Sequence, residues 1–499
     1  MSYPDELTIE LCSIIRYNLL MNNDKRKRSL AREACGSNPF VSPEEMARQK
    51  EYSEKAALMI KNKYAEPKAH IRTYGCQQNV SDSERIRGLL SEMGYGVTET
   101  AEEADLILFN TCAVREHAED RVFGNVGALK HHKRRKPDSL LVLCGCMMQQ
   151  QNVADRIKKS YPHIDLVFGT HVIHRLPELI YKAHTEKKRI FELPDIDGII
   201  AEGLPVQRDG DIKGWLPIMY GCNNFCTYCI VPYVRGRERS RNPENILEDA
   251  KTLIASGIKD ITLLGQNVNS YNGGGLNFSQ LLRMLNELPG DFRIRFMTSH
   301  PKDCTAELLQ TMADCGKVAK HLHLPFQAGS DEVLKSMNRR YDKQKYLSLI
   351  QTAKQLMPTL TFTSDVIVGF PGESYENFLE TLELIKEVQF TSLFTFIFSP
   401  REGTPAAKLA DPISREEKVK WFSLLTKTQE EISLCINRRW MGKTLRVLVE
   451  EEDKEKGVLN GRTEGNIIVE FEGPPDLVGS FAEVRITETL TWVLKGSLQ

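Results

Sequence analysis

The chain has 499 residues, 41% hydrophobic and 27% charged, with a formal net charge of -1. That length exceeds one ordinary hydrophobic core and points to about three domains. The balanced charge excludes nucleic-acid binding through overall charge and leaves only local basic patches for it. No apolar run approaches the roughly 18 residues needed to span a bilayer. Met1–Ser13 is acidic and lacks the apolar segment of a secretory leader. The expectation is a cytoplasmic chain, in which clustered cysteines among the twelve present bind metal more readily than they form disulfides.

Residues 1–66 form a charged N-terminal extension with a basic stretch at Asp24–Arg28. Ser42-Pro43-Glu44-Glu45 has the cap, first-turn proline and early acids of a helix start, and that helix would run to about Lys63. From residue 67 to 191, strand-like runs at His70–Tyr74, Leu106–Asn110, Leu140–Leu143 and Ile164–Phe168 alternate with helical patterns at Asp82–Met93, Arg115–His131 and Asn152–Lys159. Such alternation predicts a parallel α/β sheet. Residues 192–214, rich in Pro, Gly and Asp, read as a linker. Alternation restarts over 215–438, with strands expected at Trp215–Tyr220, Asp260–Gly265, Arg293–Thr298, His321–Pro325, Thr361–Val368 and Ser392–Phe398. Six units are too few for a closed eightfold barrel, so an open (β/α)6 partial barrel is expected. After a helix at about Arg415–Asn437, residues 439–499 carry five short strand patterns, the last at Thr491–Val493, and predict a small β-barrel.

Cys222, Cys226 and Cys229 stand in a C-x3-C-x2-C spacing just past the first barrel strand. Three thiolates can hold three irons of a four-iron cluster and leave the fourth without a protein ligand. A zinc knuckle would want a fourth ligand close by. No Cys or His stands at such spacing, and Cys304 is a possible remote ligand in the alternative of an ordinary ferredoxin-type site. The open-iron spacing resembles the signature of radical S-adenosylmethionine (SAM) enzymes.

Cys76, Cys112 and Cys146 are scattered along the chain, but each follows the carboxyl end of a predicted parallel strand. Ligands in open α/β sheets gather at that edge, so the three can converge. Gly75 and Gly145 would allow close backbone approach there. The alternative is three buried core thiols. Cys144 reads as core, and Cys12, Cys35, Cys304, Cys315 and Cys435 have no partner spacing.

With both sets in place, the chain from about residue 67 onward resembles the methylthiotransferases, radical SAM enzymes with two four-iron clusters and a C-terminal RNA-binding TRAM domain. The strings TYGCQQN, NTCAVREHAE and VRGRERSR resemble the branch acting on prenylated adenosine of tRNA. Gln78 departs from the Met or Arg usual there. The resemblance implies that the cluster on Cys222, Cys226 and Cys229 binds and cleaves SAM to a 5′-deoxyadenosyl radical. It implies that this radical takes hydrogen from adenosine 37, and that the cluster on Cys76, Cys112 and Cys146 carries the sulfur inserted at C2, which a second SAM methylates. Implied partners are tRNA with N6-dimethylallyl adenosine 37 and an electron donor such as flavodoxin or ferredoxin, with the enzyme a monomer and no membrane association. A methylthiotransferase for threonylcarbamoyl-adenosine or for a ribosomal-protein aspartate, and a non-catalytic iron–sulfur carrier, are the competing readings.

Tyr228 matches the superfamily aromatic near the SAM adenine. Gln266, Asn267, Ser299, Gln327 and Arg339 are strand-end candidates for SAM or substrate contact, or for loop capping. Asp365 could face the barrel interior. Basic runs that could track RNA phosphates are Lys130–Lys136, with Lys133, Arg134 and Arg135, and Arg235–Arg241, with Arg235, Arg237, Arg239 and Arg241.

Overall fold

The computed structural model describes residues 40–113, 116–194 and 198–499, so Cys12, Cys35, Asp24–Arg28 and Arg115 lie outside the described residues. The helix announced by Ser42 runs Pro43–Lys63, with the Ser42 side chain accepting from the Glu45 N–H at 3.2 Å. It is no loose extension. Gln49 lies buried against Glu178 on the helix Leu176–Glu186, and Ala56 and Ile60 enter the core of the first sheet.

That sheet has six strands, in the order Gly96–Val97, Lys68–Thr73, Leu106–Thr111, Leu140–Gly145, Leu166–Phe168 and Ile190–Glu192. All pairs are parallel. The two outermost strands were not legible as such, because two and three residues carry no usable period. The two middle strands are buried on every residue, as a parallel sheet covered on both faces requires.

The linker expected over residues 192–214 is anchored at several points along its described part. Leu204 joins the first core, the Gln207 N–H donates to Glu84 O, and Asp209 pairs with Arg87 at 2.5 Å. An ion pair, a backbone hydrogen bond and an apolar anchor thus hold it to the first sheet.

The central body is an open arc of two three-stranded parallel sheets. Lys213–Pro217, Asp260–Leu264 and Arg293–Phe296 form one half, and His321–His323, Thr361–Val368 and Ser392–Ile397 form the other. One bridge, Ile294 to Val318, spans the seam, and Ser392–Ile397 ends the arc as an edge strand. Helices Pro243–Ala255, Phe278–Asn286, Ala306–Asp314, Lys343–Leu356, Tyr375–Val388 and Arg415–Asn437 pack outside.

Thr444–Asp453, Val458–Thr463, Ile468–Glu472, Phe481–Thr489 and Val493–Leu498 close into a five-stranded barrel. The last strand begins where its prediction ended, because Val493–Leu498 must pair with two neighbours to close the ring. This barrel docks at the foot of the arc. Arg293 and Arg295, at the start of their strand, donate to the Thr463 carbonyl at 3.0 and 2.7 Å, and Arg295 reaches Glu464 O at 2.8 Å. Thr361 donates to Gly465 O at 2.7 Å, and Asp260 holds Arg295 at 2.7 Å. Arg295→Ala should therefore lower stability by roughly 3 kcal/mol, because Asp260 stays buried with only the Arg293 contact, at 3.8 Å. Thermal unfolding and limited proteolysis near Arg438–Thr444 should report the loss.

Candidate metal centres and substrate site

The three scattered cysteines converge. Cys76 caps the helix Gln77–Glu92, Cys112 follows Leu106–Thr111, and Cys146 opens the turn Cys146–Gln149. A Cβ on Gly75, at φ 107°, would fall 2.3 Å from the Cys112 Cβ, and one on Gly145, at φ 98°, 2.3 Å from the Thr111 carbonyl. Only glycine lets these strand ends close on each other, so what the glycines admit is the neighbouring loop. The Cys76 and Cys146 thiols both point to Asn79 Oδ1, at 3.6 and 3.8 Å. Asn79 is fully buried and its amide donates to Tyr74 O and Thr111 O at 3.0 and 2.9 Å. It thereby ties two of the three cysteine loops together.

Arg235 reaches this set from the other body. Its guanidinium donates to Cys146 Sγ at 3.0 Å, Asn79 Oδ1 at 2.9 Å and Asp82 Oδ2 at 2.8 Å. It ends the helix Val231–Arg235, which starts two residues after Cys229, and Ile230 and Val234 pack directly on Ala113 and Cys146. At 1.5 Å per helical residue, the four steps from Val231 to Arg235 cover about 6 Å. The two cysteine sets therefore stand one short helix apart.

Cys222 and Cys226 are buried and Cys229 is half-buried. The Cys222 N–H donates to Gly236 O at 3.1 Å and the Cys229 N–H to Cys226 O at 2.9 Å. Phe225, at φ 47°, bends the loop so that the thiols share one side, and Asn338 holds the bend by donating to Phe225 O at 3.0 Å. Arg339 donates to Cys226 Sγ at 3.4 Å and to Pro325 O at 2.7 Å. Burial pushes the Cys222 thiol up to about 11 and Cys229 and Cys146 to about 12, the last against the opposing Arg235. Metal binding must therefore displace protons from these thiols. Among the described residues no three ligating side chains are grouped for a single ion. A four-iron cluster needs wider spacing, since each thiolate takes a different iron.

The strand-end candidates gather around the triplet but differ in what they do. Gln266 Oε1 accepts from the Gly221 N–H at 2.5 Å and so caps the cysteine loop. Tyr228 packs against the barrel core. Gln327 is buried at φ 68°, and its backbone bridges Thr361–Val368. Asn267 donates to Asp303 at 2.8 Å, while its Oδ1, Ser299 Oγ and His300 Nε2 are buried with no hydrogen-bond partner among the described residues. Burial, with Arg339 and Lys302 nearby, holds the His300 ring down to about 2, so it is neutral at pH 7. Buried orphan polar atoms at the carboxyl end of barrel strands fit a polar cofactor such as SAM. Cys304, the possible remote ligand, packs in the apolar core.

Two of the basic residues read as phosphate contacts are internal instead. Arg235 is buried at the domain junction, and Arg241 is buried on Glu202, Asp249 (2.8 Å) and Pro217 O (2.8 Å). A run of arginines gives no sign of which are neutralised by distant carboxylates. Arg239 is half-buried and donates to Arg237 O and Arg235 O at 2.6 and 3.2 Å. Arg237 is exposed and lies 4.4 Å over the Phe225 ring. Lys133 pairs with Asp165 at 2.7 Å. Arg134 and Arg135 are exposed, but they end the helix that leads into the start of Leu140–Gly145, at the edge opposite the cysteines. Asn79, Asp82 and His300 were missed, although Asn79 lies inside the TYGCQQN string.

The Radical SAM superfamily model matches residues 216–385, the Uncharacterized protein family UPF0004 model residues 68–169, and the TRAM domain model residues 438–498. Fold and motifs together define a radical SAM enzyme with an added N-terminal sheet and a C-terminal TRAM barrel. The tRNA-2-methylthio-N(6)-dimethylallyladenosine synthase of Acetivibrio thermocellus is 48% identical over 469 residues, covering 92% of this chain and 98% of the relative. That of Clostridium beijerinckii is 49% identical over 433 residues, covering 86% and 95%. The chain belongs to this family of radical SAM methylthiotransferases. Among solved structures, the radical SAM methyltransferase TsrM from Kitasatospora setae is similar in fold, with a TM-score of 0.52 at 14% identity, covering 68% of this chain and 74% of that one.

Arg235→Ala would leave Asp82 buried without its ion-pair partner, costing about 3 kcal/mol at the junction. Hydrogen exchange over Gln77–Glu92 should accelerate, and Arg235→Lys should restore only part of the protection, since a point charge cannot reproduce a three-way fork.

Proposed function

We propose that this enzyme adds a methylthio group to C2 of N6-dimethylallyl adenosine 37 in tRNA, with two four-iron clusters, one on Cys222, Cys226 and Cys229 and one on Cys76, Cys112 and Cys146. The observation that carries the reading is the pairing of two three-cysteine sets through the helix Val231–Arg235. When bound, the first cluster and SAM supply radical hydrogen abstraction and the second supplies sulfur, because the C2–H of adenine is too inert for polar substitution.

The chain's own residues do the positioning. Arg235, Asn79 and Asp82 hold the sulfur-bearing set against the radical-generating one. Arg339 and Asn338 fix the triplet loop, and Asn267, Ser299 and neutral His300 offer unpaired polar atoms to the polar groups of SAM. Arg237 on the Phe225 ring, beside exposed Tyr233, forms a cationic and aromatic surface suited to RNA. The TRAM barrel, at the foot of the arc, would hold RNA away from the chemistry. The functional units in this reading are residues 67–191, 215–438 and 439–499, with an electron donor of the flavodoxin or ferredoxin class and a monomeric enzyme. No helix among the described residues is long and apolar enough to cross a membrane.

Anaerobic reconstitution should load about eight irons, two clusters of four. Replacing Cys76, Cys112 and Cys146 by Ala should leave about four, with 5′-deoxyadenosine still formed but no methylthio product by mass spectrometry. Replacing Cys222, Cys226 and Cys229 should abolish 5′-deoxyadenosine. One cluster in the wild type, or modification of unprenylated stem-loop alone, would overturn the reading.

A further inference from the structure

The edge strand Ser392–Ile397 carries two aromatic side chains that the fold leaves uncovered, Phe394 at 48% and Phe396 at 45% exposure. Their face of the strand can be identified from the register. Thr363 stands opposite both His323 and Ser392, Asp365 opposite Phe394, and Ile367 opposite Phe396. In-register parallel neighbours point the same way. His323 confirms this, since its ring lies 5.7 Å from that of Phe394 and its Nδ1 lies 3.0 Å from Thr363 Oγ1. The opposite face is occupied: Phe362, Val366 and Val368 enter the main core, and the helix Arg415–Asn437 clamps the strand's approach through Gln429 to Phe390 O and Ser433 to Thr391 O. Phe394 and Phe396 therefore line the concave side of the open arc.

Elsewhere that concave face is mixed, with Trp215 and Leu264 in register with its polar residues and Ile367 beside Phe396. Its lower part holds Asp260, Arg293 and Arg295 and is stoppered by the carbonyls of Thr463, Glu464 and Gly465. The two exposed rings lie at the free edge, where a ligand entering from the side would meet them. An uncovered aromatic pair on an edge strand is a liability unless something binds there. Beside it, in register with Phe394, stands the Asp365 carboxylate, 30% exposed.

We infer that Phe394, Phe396 and Asp365 form the seat for the N6-prenylated adenine, with the five-carbon chain against the two rings and the single remaining N6–H donating to Asp365. The chemistry matches group by group: one apolar branched chain to an aromatic wall, one N–H donor to one carboxylate. This inference rests on the substrate reading above and adds the residues that would distinguish the prenylated base from plain adenosine. A plain adenine would leave both rings against water.

The test is binding of prenylated and unprenylated anticodon stem-loops to the reconstituted holoenzyme in the presence of SAM, without reductant, by fluorescence anisotropy. The wild type should prefer the prenylated RNA. Phe394→Ala with Phe396→Ala should reduce that preference by about tenfold or more, a loss of the size seen when apolar contact is removed from a binding pocket. The leucine pair should keep most of it, and unprenylated RNA should bind both variants as it binds the wild type. Iron content and circular dichroism control for folding. A preference that survives in the folded alanine variant would overturn this assignment alone, whereas no preference in the wild type would overturn the substrate reading and this seat together.

Discussion

A single buried guanidinium organises this molecule. Arg235 leaves the radical-generating body, crosses to the parallel sheet and satisfies a carboxylate, an amide oxygen and a cysteine sulfur at once. Buried charges are tolerated only when paired and hydrogen-bonded, so the two bodies can close in one register only. That register sets how far apart the two cysteine sets lie. The reaction proposed above, with a radical made at one centre and sulfur delivered from another, would need such a fixed separation, which flexible tethering of two domains would not supply.

The open arc is divided along its axis. Its foot is filled by arginines, Asp260 and the carbonyls of the Thr463–Gly465 turn, which exclude ligand from below. Its upper rim holds the triplet and the orphan polar atoms of Asn267, Ser299 and His300. Burial keeps His300 neutral, so its ring can offer a hydrogen bond without carrying a charge of its own. The free edge at Ser392–Ile397 exposes two aromatic rings. The TRAM barrel is thus kept at the closed end, which leaves the side and top of the arc for a substrate to enter.

The cysteines themselves follow one rule. Burial raises the thiols of Cys146, Cys222 and Cys229, which keeps them protonated until metal replaces the protons. Arg235 and Arg339, each at hydrogen-bond distance from one sulfur, offset part of the cost of the negative cluster that would follow.

Much of this was legible along the chain because its causes are local. The strand–helix alternation, the Ser42 cap, the C-x3-C-x2-C spacing and the placement of Cys76, Cys112 and Cys146 after strand ends all depend on residues within one element or its turn. The strands Gly96–Val97 and Ile190–Glu192 escaped notice because they are too short to carry a period. Function of the basic run Arg235–Arg241 could not be read locally: charge in sequence says nothing of a carboxylate 153 residues away, and Asp82 turned Arg235 from a surface contact into a buried clamp. By itself the sequence determined which cysteines stand at strand ends where they can gather, since spacing and position after a strand suffice for that. Which side chains hold the two sets together, which face of the arc stays open, and where the closed barrel docks were decided only in the tertiary structure, because those depend on partners brought together from far along the chain by packing and charge.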